Sequence, residues 1–132
     1  MLWGDAMSDN GSARLLRWTD LETDHPLEEV NRRRIFGEQA MLSEVRFRKG
    51  CHVPTHHHEN EQFVCVISGC LRFGLGADDD PGRRDVVVRA GEVLVLPSNV
   101  PHSADALEET LVLDIFSPPS ATTGLDDAGR DD

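Results

Sequence analysis

The sequence lacks several features that would assign a protein to a class at once. It has no run of about 20 apolar residues, the length that a membrane-spanning helix needs. Its start, Met1 to Arg14, has no basic region followed by an apolar block, so we predict no secretion signal and expect a cytoplasmic protein. Cysteine is scarce: Cys51, Cys65 and Cys70 give an odd count without CxxC spacing. These absences argue against a disulfide framework or a zinc ribbon and predict free thiols.

Basic residues are also few, with 13 Lys and Arg against 24 Asp and Glu, for a net charge of −11. An acidic surface argues against nucleic acid or an anionic membrane as partner. The segment from Ser117 to Asp132 has almost no apolar residues and cannot bury enough surface to order itself. We therefore predict a flexible arm over residues 1–16, one folded domain over 17–117 and a disordered acidic tail over 118–132.

The folded part consists of short β-rich runs separated by glycine and proline. In one of them, Val45 and Phe47 alternate with Arg46 and Arg48, as in a strand with one solvent-facing side. Short strands at regular spacing predict an all-β sandwich or barrel. A short helix in the first quarter, around Pro26 to Asn31, is a weaker alternative. The predicted strands are residues 30–36, 40–49, 62–67, 70–75, 85–89, 93–96 and 110–116.

Histidine is concentrated in one segment, with four of the six histidines in residues 52–58. Consecutive side chains on a strand point to opposite faces, so His56 and His58 share a face, about 6.5–7 Å apart along the strand. Two imidazoles at that separation can converge on one ion, about 2.0–2.1 Å from each nitrogen. His57 must point the other way, and we expect it and His52 at the surface or behind the ligands.

Two further residues can complete this site. Gln62 lies four residues beyond His58 and can return to the same ion after a short turn, and His102 follows a proline-bounded loop. The sequence predicts one divalent metal ion (Ni, Zn, Mn or Fe) on His56, His58, Gln62 and His102, because histidine sites do not by themselves select one metal. Two alternatives stay open: a site of three histidines alone, and Glu61 as a carboxylate ligand, which strand parity opposes.

Arginines near the histidines are candidates for binding a substrate. Arg46, Arg48 and Arg72 could hold a substrate carboxylate through paired hydrogen bonds, although arginines on the wet face of a strand are commonly only surface residues. Cys51 lies close to the predicted site in sequence, and a cysteine in this setting usually behaves as a small apolar residue.

The spacing of these residues resembles the two sequence motifs of the cupin family. Gly50, His56, His58, Gln62 and Gly69 match the first motif, and Gly91, Pro97 and His102 match the second. The resemblance covers about residues 37–116. It implies a double-stranded β-helix, or jelly-roll, barrel that binds a metal ion. It also implies a homodimer that pairs through sheet edges and exchanges N-terminal strands.

Two positions depart from the cupin pattern. Asn99 stands where a glycine is usual, and asparagine tolerates the left-handed backbone of such a turn. Gln62 stands where a glutamate is usual, so all four predicted ligands are neutral and a bound ion would keep its full charge. That favours Lewis-acid chemistry. We expect it to disfavour iron-dependent oxygen chemistry, which commonly uses a carboxylate ligand.

Within cupins, the sequence is similar to small pectin-degradation cupins that linearise and ketonise 4,5-unsaturated monouronates. The matching residues are His56-His57-His58, Glu61-Gln62, Val100-Pro101-His102 and Phe116-Ser117-Pro118-Pro119; Ser120 stands where an arginine often follows. This resemblance implies a metal-dependent isomerase or lyase that transfers a proton on a small oxygenated molecule, such as a sugar acid. The alternatives are an iron-dependent dioxygenase and a non-catalytic binder or sensor of a small molecule.

Overall fold

Residues 11–126 fold into two antiparallel β-sheets in the computed structural model, which describes this part of the chain. One turn of 3-10 helix at Trp18–Asp20 precedes the strands. The nine strands of the described residues are β1 Val30–Phe36, β2 Met41–Phe47, β3 His52–His56, β4 Glu61–Ser68, β5 Cys70–Leu75, β6 Arg84–Arg89, β7 Val93–Leu96, β8 His102–Ala106 and β9 Thr110–Ser117.

The strand order confirms the predicted jelly-roll barrel. The larger sheet has the order β1-β2-β9-β4-β7 and the smaller sheet the order β3-β8-β5-β6. Each predicted run corresponds to a strand, with differences of one or two residues at the ends. Strands β3 and β8 were absent from the predicted set, and the β8 sequence HSADA lacks the branched and aromatic residues that identify strands.

The helix considered around Pro26 to Asn31 is absent from this segment. The chain makes a turn there, closed by a hydrogen bond from Val30 N–H to the Leu27 carbonyl, and β1 begins at Val30. Val30 is completely buried and pairs with Phe47 of β2, so pairing and burial fix an extended backbone at this point. Within residues 11–126, no helix has the length and apolar character needed to cross a membrane.

The core lies between the two sheets and is built from inward-facing side chains at alternate strand positions. In β9 the buried residues are Thr110, Val112, Asp114 and Phe116, while the residues between them are partly exposed. This alternation is the period-2 pattern of a strand with one buried face. Tight turns close the hairpins, and Asn99 adopts φ 64°, the left-handed conformation expected for it from the sequence.

The chain beyond β9 folds back onto the barrel as far as it is described. Thr123 is only 5% exposed, and Leu125 packs against the main apolar core. The Asn60 side-chain amide donates to the Pro118 carbonyl, and Arg34 donates to the Ala121 carbonyl at 2.7 Å. Residues 118–126 therefore differ from the disordered tail expected there. Residues 1–10 of the predicted arm and 127–132 of the predicted tail lie outside the described residues.

Candidate metal centre

Three histidines from separate parts of the chain meet at one end of the barrel. His56 ends β3, His58 follows it, and His102 begins β8, which pairs with β3 directly opposite His56. One possible ligand atom from each ring lies within 4.8 Å of the others, so the three residues form a group able to hold a metal ion. The ring centroids are 4.3 to 5.9 Å apart.

Each of the three rings is oriented by the backbone. Every Nδ1 donates its hydrogen to a carbonyl two residues away, which leaves Nε2 on the far side of the ring as the acceptor of the neutral form. Hydrogen bonds of this kind commonly fix the orientation of metal-binding histidines. The carbonyls belong to Pro54 for His56 at 2.8 Å, Asn60 for His58 at 3.0 Å and Val100 for His102 at 2.9 Å.

Gln62 joins this group from the start of β4. Its side chain is buried, at 7% exposure, and its Oε1 lies 3.1 Å from Nε2 of His58. Both atoms are acceptors, because the hydrogen of His58 is on Nδ1, so they do not stabilise each other directly. A cation between them satisfies both atoms. The donor set therefore fits a divalent ion, and the structure brings together all four residues of the predicted site.

Asp114 is a residue of this site that the sequence prediction missed. It points inward from β9, and the amide nitrogen of Gln62 donates to its Oδ1 at 3.1 Å. This bond turns the amide oxygen of Gln62 toward His58. Burial raises the pKa of Asp114 to about 7, which the hydrogen bond from Gln62 only partly offsets. Asp114 alternates with Val112 and Phe116 on the buried face of β9, and a charged residue at such a position is the signal that could have identified it.

Two of the three histidines, His58 and His102, favour the neutral form at pH 7. Burial, reinforced by His56 nearby, lowers the pKa of His102 to about 4. Burial also lowers the pKa of His58, although the hydrogen bonds that the protonated ring would donate to the Asn60 carbonyl and to Gln62 Oε1 oppose the shift. Neutral imidazole is the form that binds metals, so protons compete weakly for these nitrogens at neutral pH.

His56, Gln62, His102 and Asp114 border one cavity of about 510 Å³, including open solvent at its mouth. Its polar lining consists of Arg32, Ser43, His56, Gln62, His102, Asp114 and Thr123. The rest of the lining is apolar, as is usual for sites that bind small molecules. Asp114 is the single carboxyl group among the lining residues, all of which belong to the described part of the chain.

The arginines proposed from the sequence do not reach this cavity. Arg46, Arg48 and Arg72 are exposed and absent from its lining, and Arg72 instead contacts Asp105 at 3.5 Å. Outward strand parity places Arg46 and Arg72 on the wet faces of their sheets. Cys51 is buried, and burial raises the pKa of its thiol to about 11, as expected of a core residue.

The raised pKa of Asp114 predicts a specific pH dependence of stability for the metal-free protein. The folded-state pKa, about 7, exceeds the ordinary value of 3.8, so the stabilisation from protonated Asp114 is full below pH 3.8 and is lost as pH rises through 7. His102 acts oppositely, because its lowered pKa makes stability fall as pH drops from 6.5 toward 4.

Comparison of wild type with Asp114→Asn separates these two effects. We expect the stability of the variant, relative to wild type, to rise by up to about 1.4 kcal/mol per pH unit between pH 4 and 7. Urea unfolding in EDTA at several pH values measures this difference. A difference that does not change with pH would contradict the assignment of the raised pKa to Asp114.

Gln62→Glu tests why an amide stands at this position. The new carboxylate would lie against the buried Asp114, and two carboxyl groups in contact cannot both ionise readily. We expect the single variant to bind Zn²⁺ and Mn²⁺ no more tightly than wild type at pH 7. The double variant Gln62→Glu/Asp114→Asn removes this repulsion, so we expect it to bind more tightly and to shift its preference toward Fe²⁺. Competitive metal titration measures both effects, and equal metal preference in all three proteins would contradict the hypothesis.

The fold and the histidine cluster together define a small β-barrel protein with a candidate metal centre at its mouth. The model of the cupin domain family matches residues 43–116, more than half of the chain. The protein is therefore a member of the cupin domain family. No curated protein shows significant sequence similarity to it.

Solved structures with the same fold include proteins of similar and of larger size. KdgF from Halomonas sp. superimposes with a TM-score of 0.73 at 23% identity, covering 83% of this chain and 97% of that one. An RmlC-like cupin from Shewanella frigidimarina gives 0.72 at 22% identity, covering 83% and 95%. Oxalate decarboxylase from Bacillus subtilis, in a study of its Mn(II) centres, gives 0.71 at 22% identity, but this chain matches only 32% of its length. At these identities the likeness establishes the fold.

Proposed function

We propose that this cupin is a metal-dependent isomerase or lyase that transfers a proton on a small oxygenated molecule of the sugar-acid class. The observation that carries the proposal is the meeting of two kinds of group in one cavity. Three histidines and the Gln62 oxygen form a set that suits a divalent ion. A carboxyl group with a pKa of about 7, that of Asp114, lies one hydrogen bond away.

The proposed roles follow from the chemistry of these residues. His56, His58, His102 and Gln62 would hold the ion, which supplies Lewis acidity toward a substrate oxygen. Asp114 would remove and return the proton, since a pKa near the working pH suits a general acid–base group. The apolar wall of the cavity, including Phe73 and Phe116, would limit the water around the reacting atoms.

The sequence resemblance to pectin-degradation cupins and the structural comparisons support the substrate class. The similar structures include KdgF from Halomonas sp.. They also include oxalate decarboxylase from Lactobacillus farciminis in complex with formate, which superimposes with a TM-score of 0.72 at 18% identity. Small carboxylates therefore occur as ligands in barrels of this type. We propose 4,5-unsaturated monouronates as the first substrates to examine.

Turnover of these compounds tests the proposal. Protein loaded with Zn²⁺, Ni²⁺ or Mn²⁺ should abolish the ultraviolet absorbance of the unsaturated uronate faster than buffer and metal alone. Protein with the double substitution His56→Ala/His58→Ala should not. Oxygen consumption by the Fe²⁺-loaded protein would instead indicate the dioxygenase alternative. Tight binding without turnover would indicate a binder or sensor.

We also propose that the protein is a homodimer and is located in the cytoplasm. Support for dimerisation comes from the outer face of the larger sheet, where one apolar side chain from each strand aligns across the sheet in register. Val95, at 47% exposure, lies at the end of this row. The row consists of Ile35, Leu42, Ile115, Phe63 and Val95.

A charge on this row should separate the proposed dimer. We expect Val95→Glu to be monomeric by light scattering, whereas Leu107→Glu, at another exposed apolar residue, should behave as wild type. A wild-type protein that is monomeric at every concentration would contradict the homodimer. Cell fractionation tests the location, with the untagged protein detected by an antibody raised against it.

A further inference from the structure

A buried arginine in the cavity wall binds two carboxylates at once. Arg32 points inward from β1, is 3% exposed and lines the same cavity as Gln62 and Asp114. Its Nε and Nη2 donate to the two oxygens of Asp24 at 2.9 and 2.7 Å. Its Nη1 and Nη2 donate to the two oxygens of Asp126 at 3.1 and 2.6 Å. Both edges of the guanidinium therefore hold a carboxylate in the paired geometry that arginine favours.

The two carboxylates are attached to the fold very differently. Asp24 is fixed to β1 through its backbone, since its N–H and carbonyl both bond to Arg32, at 2.8 and 2.9 Å. Asp126 belongs to residues 120–126, here named the C-terminal strap, which contains no strand or helix. The strap is held by Arg34 on the Ala121 carbonyl, by Asp126 itself and by the burial of Thr123 and Leu125 against the barrel. Asp126 can therefore leave Arg32 without breaking a sheet hydrogen bond.

The strap also borders the candidate metal centre. Thr123 and Leu125 line the cavity. Gly124 lies so close to His56 that a Cβ at position 124 would be 2.0 Å from Cδ2 of the ring and 2.8 Å from Nε2. The strap thus extends from the ring of His56 to the guanidinium of Arg32, across one side of the cavity.

Charge balance shows what the strap supplies and what would replace it. Arg32 and Arg34 carry two positive charges, and Asp24 and Asp126 carry two negative ones, with Arg34 also contacting Asp24 at 3.2 Å. When Asp126 leaves, one positive charge stays uncompensated in a buried wall. A buried charge without a partner is costly, so this state strongly favours another carboxylate over a neutral ligand.

We infer that Arg32 is the residue that recognises the carboxylate of the substrate, and that Asp126 occupies its place until an anionic ligand displaces the strap. This inference rests on the proposed function for the identity of the substrate, a small molecule with one carboxylate. It also accounts for Ser120, which stands where an arginine often follows the prolines in similar sequences, because β1 supplies the cation instead. Arg32 determines the specificity for a carboxylate, and Asp126 of the strap competes with the substrate for binding to Arg32.

Asp126→Asn tests the inference by weakening the competitor while preserving its shape. An internal occupant lowers the apparent affinity for a ligand. That affinity is proportional to the fraction of molecules in which the site is open. If the strap occupies Arg32 in roughly 90% of molecules, the variant should bind D-glucuronate and D-galacturonate about tenfold more tightly than wild type. Binding of neutral methyl glucoside should not change. Asp79→Asn, at an exposed loop residue, is the matched control and should match wild type with all three probes.

Two further measurements make the result decisive. Hydrogen exchange of residues 120–126 should increase when wild type is saturated with glucuronate, and should not respond to methyl glucoside. The double variant Arg32→Lys/Asp126→Asn keeps a positive charge but loses the paired donors. It should therefore lose the preference for the uronates. Unchanged or weaker uronate binding by Asp126→Asn, no uronate binding by either protein, or full preference in the double variant would each overturn the inference.

Calorimetric titration with and without metal separates this inference from the proposed function. Stronger uronate binding by Asp126→Asn in EDTA, together with no turnover of unsaturated uronate by the metal-loaded wild type, would support the role of Arg32 and contradict the metal-dependent reaction. Turnover of uronates by the metal-loaded wild type, with the same KM in Asp126→Asn, would support the reaction and overturn the role of Arg32.

Discussion

Replacing His102 by alanine will abolish stoichiometric metal binding. His102 is 3% exposed, its Nδ1 is fixed by the Val100 carbonyl, and its ring lies nearest to that of His56, with centroids 4.3 Å apart. Loss of a partner that merely orients a ligand weakens metal binding about 10- to 100-fold, so loss of the ligand itself should exceed about 100-fold. Elemental analysis should fall from about one equivalent of metal per chain to less than about a tenth.

His57→Ala is the matched control for this prediction, because His57 is an exposed neighbour that points away from the cavity. It should retain the metal content of wild type. The gain in stability on adding metal provides a second readout. At a free metal concentration about 1,000 times the Kd this gain is about 4 kcal/mol, and it should be absent from His102→Ala. Equal metal content in wild type and His102→Ala would exclude the four-residue site.

Replacing Asp114 by asparagine will remove catalysis and leave the metal in place. The substitution keeps the size of the side chain and an oxygen that can accept from Gln62, but it removes the titratable proton. General acid–base groups typically contribute a factor of about 10² to 10⁴, so kcat on an unsaturated uronate should fall by about that factor. The metal content should stay within about twofold of wild type, because the asparagine can still accept the hydrogen bond from Gln62 that orients its amide oxygen.

Asp105→Asn is a suitable control, since Asp105 is a partly exposed strand residue outside the cavity lining. It should retain wild-type kcat. The pH profile separates a catalytic role of Asp114 from a structural one. In wild type, kcat should change across a pKa near 7, and the residual activity of Asp114→Asn should lack that transition. Full activity with the same profile would assign proton transfer to another group.

Much of the candidate site could be predicted because its signals are local. His56 and His58 are two residues apart, Gln62 is one turn further on, and each position is defined by strand parity or by a short loop. His102 is distant in sequence, and the cupin spacing connected it to the others. Pairing of β3 with β8 then placed it directly opposite His56.

Residues that act through sheet register could not be predicted in the same way. Asp114 lies opposite Val64 of β4, next to the position where Gln62 faces Phe116, and this alignment depends on the pairing of strands about fifty residues apart. Arg32 was overlooked because a charged residue at the inward parity of a strand is uncommon, and because its partner Asp126 lies 94 residues away. The arginines chosen instead had the outward parity of ordinary surface residues.

The sequence by itself determined seven of the nine strands of the described residues, the cupin barrel and the histidines, because alternation and motif spacing are properties of neighbouring residues. Only the tertiary structure decided which inward polar groups meet. It placed Asp114 behind Gln62, and it folded residues 120–126 across the cavity to bring Asp126 to Arg32. Composition alone predicted disorder for that segment, because composition counts the apolar surface a segment can bury by itself. Composition does not take into account that Asp126 of this segment binds the buried Arg32 of the barrel.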